Sequence, residues 1–302
     1  MNPVKVLTRL SCRNIFTSLR SWLLVVVAII APLSPLEIYA APQLVVAPTR
    51  IIIEGRARAA SVNLINRGDQ AGTFRITFER KRMTETGRVV PLENPAPGEI
   101  FADQMIRYAP RQVTLEPGQN QVIRLMVRKP ANLAEGEYRS HLLFQGIPPD
   151  TGKSVESQAA AKGNKLSIKI IPVLGVSIPV IVRHGKTQAS VTLEKLQLEN
   201  RSKDGKKASL VFHAMRSGNQ SVYGDFTVYF TPEKGGEKFV VAQVNGTAIY
   251  TPNKERIISL PLQTSGDVNL DAGTIEVVYR EPASNGQKEI ASATARIVPL
   301  TR

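Results

Sequence analysis

The sequence predicts an all-β protein built as two tandem immunoglobulin-like β-sandwich domains. Two observations carry that reading. Short apolar or alternating segments recur roughly every ten residues with turn chemistry between them, and no amphipathic helix of useful length interrupts them. A third bounds the size: 302 residues at 42% hydrophobic and 21% charged is enough globular chain for two real cores.

The first forty residues read differently from the rest. Lys5, Arg9, Arg13 and Arg20 precede an apolar run from Trp22 to Ala31, which Pro32 and Pro35 end before the small pair Ala40-Ala41. That order is a secretory signal peptide over 1–40, cut after Ala40. The apolar run is short for a span that needs about 20 residues. No membrane insertion is therefore expected after cleavage. Cleavage would remove Cys12 and Trp22, the single cysteine and single tryptophan of the chain. An exported protein without cysteine has no disulfides and must stand on its packed core.

The strands follow in order. Leu44-Val-Val and Ile51-Ile-Ile lead to the turn Glu54-Gly55, and Val62 to Ile65 leads to Asn66-Arg-Gly-Asp. Phe74, Ile76 and Phe78 alternate with polar residues, which puts the aromatic and aliphatic side chains on one face. Val113 to Leu115, Val122 to Val127, Tyr138 to Phe144 and Lys165 to Arg183 complete a first set, assigned to a domain over 41–183. After the hinge His184-Gly185-Lys186 a second set begins, assigned to 184–302: Ser190 to Leu196, Ser209 to His213, Phe226 to Phe230, Phe239 to Val241, Ile257 to Leu262, Thr274 to Tyr279 and Ala291 to Val298. About seven strands per set is the immunoglobulin-like count.

Chemistry-bearing patterns are scarce. The sequence contains no G-x-S-x-G, no H-E-x-x-H and no P-loop, and its three histidines, His141, His184 and His213, are scattered. An enzyme is not expected, nor a cofactor or metal. The net charge of +14 favours an acidic partner. Export argues against nucleic acid, and Arg80-Lys81-Arg82 and Lys203/Lys206/Lys207 lack interleaved aromatics, so both runs read as solvated faces.

Four stretches in order resemble the periplasmic pilus chaperones of the chaperone–usher pathway, the PapD-like family. They are Val46-Ala-Pro-Thr-Arg50-Ile-Ile-Ile-Glu-Gly55, Tyr108 to Arg124 with Leu115-Glu-Pro-Gly118, Glu137-Tyr-Arg-Ser-His-Leu-Leu-Phe-Gln-Gly-Ile-Pro-Pro149, and Ile178-Pro-Val-Ile-Val-Arg183. The family is a known β-sandwich and a known case of strand addition. The resemblance implies a periplasmic protein that caps incomplete pilus or fimbrial subunits by donor-strand complementation and delivers them to an outer-membrane usher. It implies that Arg50 binds the subunit's terminal carboxylate. The family's usual lysine partner aligns with Pro179, so the resemblance does not supply the second cation of a two-cation anchor, and any second cation would come from elsewhere in the chain. Glu137 and Arg183, with Asp271 as a third, match an interdomain ion-pair network.

The lent strand is expected within Ile168 to Ile178, with the even residues filling the groove: Ile168, Ile170, Leu174, Val176 and Ile178. The odd set includes Gly175 and Ser177, so the even face is the apolar one. The same face could instead pack in the protein's own core. The competing function is an exported immunoglobulin-like adhesion or ligand-binding module without chaperone activity.

Overall fold

The computed structural model describes residues 43–148, 173, 175–199, 208–233, 235–263, 270 and 272–297. Residues 41–302 form one compact unit. Within it two apolar cores are separate: one drawn from positions between Val46 and Val182, the other from positions between Val191 and Ile297. The described residues form strands and short turns, and no α-helix.

The first sandwich begins with an edge that changes sheets. Strand β1 (Leu44–Ala47) pairs antiparallel with β3 (Ala59–Asn66), whereas β2 (Ile51–Ile53) pairs parallel with β11 (Gly175–His184) in the opposite sheet. Pro48 lies between them and has no N–H to continue a ladder. The same device recurs across Pro110: β7 (Ile106–Ala109) joins β9 (Asn120–Val127), and β8 (Gln112–Leu115) joins β4 (Gly72–Glu79). The sheets thus read β1-β3-β9-β7 and β2-β11-β10-β4-β8, with β10 spanning Gly136–Ile147. Phe74 and Ile76 point into the space between them, as their alternation predicts, and Phe78 packs at its margin against the Tyr108 ring.

A small hairpin, β5 (Lys81–Met83) with β6 (Val89–Pro91), was not legible in the sequence. Its basic start adds to the sequence reading: Arg80, Lys81 and Arg82 are part-exposed and each has an acidic partner, Asp103 at 2.9 Å, Glu79 at 2.6 Å and Glu99 at 2.6 Å respectively. Lys203, Lys206 and Lys207 lie outside the described residues.

The second sandwich has seven strands. β12 (Ala189–Glu199), β13 (Ser209–Gly218) and β16 (Glu255–Pro261) form one sheet; β15 (Phe239–Ile249), β14 (Val222–Pro232), β17 (Gly273–Arg280) and β18 (Glu289–Ile297) form the other. Its core is aromatic: Phe226 stacks on Tyr279 at 4.0 Å and meets Phe212 edge-on. His213, read as structural, pairs with Glu255.

Candidate functional site: an arginine between the two sandwiches

Strand parity builds this site. On β11 the even residues Ile178, Val180 and Val182 enter the first core, so the odd residues Pro179, Ile181 and Arg183 face the second sandwich. β10 runs antiparallel beside it with Glu137 opposite Arg183, Arg139 opposite Ile181 and His141 opposite Pro179. β2 lies on the other side, with Ile52 opposite Ile181. Extending that register by one residue sets Arg50 beside Pro179. The row Arg50, Pro179, His141 and Glu79 therefore crosses four neighbouring strands on one face.

The Arg50 guanidinium sits in the cleft against aromatic residues of the second sandwich. It lies 4.7 Å from the Tyr223 ring centre and 5.2 Å from that of Tyr250. Its Nη1 donates to the Tyr250 hydroxyl at 3.1 Å, and its Nη2 to the Ser221 hydroxyl at 3.3 Å. Its buried Nε has no partner. All of these partners are neutral, and no carboxylate among the described residues pairs with Arg50. A cleft of about 590 Å³ opens beside it, lined among others by Ile52, Ser221, Tyr223, Lys288 and Ile290. A guanidinium with free donors in such a cleft can take a carboxylate through two parallel hydrogen bonds.

Two rows further along, Arg183 lies between two acids. Its Nε donates to Glu137 Oε2 at 3.0 Å and its Nη1 to Glu54 at 2.9 Å. Glu137 is 1% exposed, and the same Oε2 accepts the backbone N–H of Ser221 at 3.1 Å. One carboxylate thus ties the last strand of the first sandwich to the entry of β14. Glu54 was missed from sequence, where it reads only as turn chemistry. Asp271 lies outside the described residues.

Arg139 was missed as well. It is 7% exposed, its guanidinium stacks 4.1 Å from the Tyr250 ring centre, and its Nη2 donates to the Thr251 carbonyl. Burial holds its pKa below the usual guanidinium value, with Arg50 adding repulsion against Tyr250, Glu137 and Glu99. Met83, Ile181, Ala248 and Tyr250 form a small third core that closes this part of the cleft.

The lent-strand residues divide. Ile168, Ile170 and Leu174 lie outside the described residues. Val176 is half-buried at the rim of the first core. Ile178 corrects the sequence reading: it is 2% exposed inside the protein's own core, so it cannot fill a groove on another chain. The even face turns from rim to interior between Val176 and Ile178. Among the described residues, β11 also has an uncovered edge. β2 covers it only along Val180 to Val182, whereas β10 pairs with Gly175 through His184.

Residues 43–183 match the family described as pili and flagellar-assembly chaperone, PapD N-terminal domain. No curated protein matches the chain. Among solved structures, the chain is similar to the YadV chaperone at 12% identity, with 84% of this chain and 99% of that one covered and a TM-score of 0.42. It is similar to a chain of a chaperone–tip adhesin complex of CFA/I fimbriae at 16% identity, covering 85% and 100%, with a TM-score of 0.43. The CupB2 chaperone of Pseudomonas aeruginosa is 10% identical, with 84% and 100% covered and a TM-score of 0.39.

Proposed function

We propose that this chain, whose residues 43–183 are a PapD-type chaperone domain, binds incomplete pilus or fimbrial subunits in the periplasm, caps them by lending β11, and delivers them to an outer-membrane usher. The observation that carries the reading is where β2 begins. A strand added to the open edge of β11 along 175–179 lies end to end with β2 and meets Arg50 where β2 begins. If that strand runs parallel to β11, as β2 does, its C-terminus arrives at the guanidinium. Main-chain hydrogen bonds along the edge supply affinity, and side chains on the even face from Val176 backwards meet the partner's groove. An unfinished subunit is a long unpaired edge over an exposed core, which is the kind of surface that aggregates if left bare.

The machinery described requires no nucleotide or cofactor, because strand addition makes and breaks only non-covalent contacts. Co-expression with exported pilin-like proteins encoded beside this chain, followed by co-purification, tests the reading. A stoichiometric complex with a subunit is expected, and Arg50→Ala should weaken it about 10- to 100-fold, the worth of a charge-assisted hydrogen bond. Purification of the chain alone in every pairing, or capture unchanged in Arg50→Ala, would remove the chaperone role or the anchor respectively.

A further inference from the structure

The face that carries Arg50 holds a second buried nitrogen with nothing to bond. His141 is 4% exposed, and its Nδ1 has no partner. It stands two strands from Arg50 in the same row, roughly 10 Å between Cα atoms, with only the short uncharged ring of Pro179 between them. Arg50 Nε is unpartnered too. Two buried, unbonded nitrogens belong to one row of the sheet, the row at which a strand lying in line with β2 would finish.

The charges around His141 are mostly positive. Arg139 neighbours it on its own strand, Lys81 comes from β5 and Arg50 from the β2 side. Glu79, opposite it on β4, is taken up by Lys81 at 2.6 Å and the Ser177 hydroxyl at 2.7 Å. From the second sandwich the groups at this face are the neutral phenols of Tyr223 and Tyr250. Burial first, and then these positive charges, keep the imidazole neutral. An anion bound at Arg50 would reverse that balance, because it would offset the Arg50 charge and give Nδ1 an acceptor.

We propose that His141 is the second donor of the carboxylate site at Arg50, and that it takes up a proton when the carboxylate binds. The inference rests on the chaperone reading only for the source of the carboxylate, the end of a peptide strand. The chemistry itself belongs to this chain alone.

The test uses the purified exported chain and three probes: acetyl-tetraalanine with a free C-terminus, the same peptide as its C-terminal amide, and sodium acetate. NMR follows the His141 ring, assigned by difference from His141→Gln, across a pH titration. Saturating peptide acid should raise the His141 midpoint by at least one pH unit, and the amide should leave it in place. The peptide acid should bind more tightly than acetate; equal affinity would overturn the chain-end source. His141→Phe should weaken the peptide acid about 10-fold or more. His141→Gln keeps a donor and should retain most of the affinity while losing its rise toward acid pH. A midpoint unmoved by saturating peptide acid, or full affinity in His141→Phe with its circular dichroism and melting temperature intact, overturns the proposal. No pilus subunit enters this experiment. Peptide-acid binding that moves His141 while subunit capture fails would discard the chaperone role and keep the site.

Discussion

Removing the Glu137 carboxylate should be felt in both sandwiches, because Arg183 and the Ser221 N–H both depend on it. Glu137→Ala leaves a half-buried guanidinium with only Glu54 and a buried N–H without an acceptor, a loss of about 3 kcal/mol. Glu137→Gln keeps an acceptor and should cost clearly less. Urea unfolding of both variants checks the order; equal losses would mean that the charge, and not the retained acceptor, carries the contact. His141 gives a pH signature. Burial, with Arg139, Lys81 and Arg50, pushes its imidazole down to about 3, against about 6.5 when unfolded. Between those values the unfolded chain binds the extra proton, so the stability His141 contributes is complete above about pH 6.5 and drains as pH falls toward 3. The urea midpoint of His141→Gln should therefore fall less steeply than that of the parent across this window. Parallel curves would show that the parent imidazole is not held neutral.

At the scale of elements, β11 does two jobs along one face. Ile178 sits in the first core, so Ile178→Lys should unfold that domain, and Ile178→Ala should cost about 2–5 kcal/mol. Val176, two residues earlier, is at the rim. Val176→Lys should keep the melting temperature close to that of the parent while abolishing subunit co-purification. If Val176→Lys instead fails to fold, the lent face begins further toward the N-terminus. The β5–β6 hairpin is a strap between the sandwiches: the Met83 carbonyl accepts from Asn253, the Glu85 carbonyl accepts the Ile257 N–H, and Met83 packs on Tyr250 and Ala248. Met83→Ala should destabilise by about 2 kcal/mol, the low end for a small cluster, and broaden unfolding into two transitions as the domains uncouple. A single sharp transition would show that the strap is not what joins them.

Taken whole, the molecule is two cores with a polar seam, and the seam is where its chemistry lies. Export itself is checked by intact mass: the periplasmic product should begin near Ala41 and show no tryptophan absorbance, since Trp22 precedes the cut. A membrane-retained product still containing Trp22 would replace the signal peptide with an anchor.

The sandwich class was legible because strand burial is a local pattern. The alternation Phe74, Ile76, Phe78 and the turn Glu116-Pro117-Gly118 declare their roles within a few residues. The β5–β6 hairpin was not, because Arg80-Lys81-Arg82 shows no apolar alternation and is held by acids that lie elsewhere in the chain. Arg50 could be singled out by its motif, yet its partners Ser221 and Tyr250 stand 171 and 200 residues away. By itself the sequence determined the strand period and which side of β11 is apolar, since each is written in neighbouring residues. Only the tertiary structure decided where that apolar side stops being surface and becomes core, that Glu54 joins Glu137 on Arg183, and that His141 shares a row with Arg50. Those outcomes depend on register between strands far apart in sequence, and register is set by packing, which no single strand encodes.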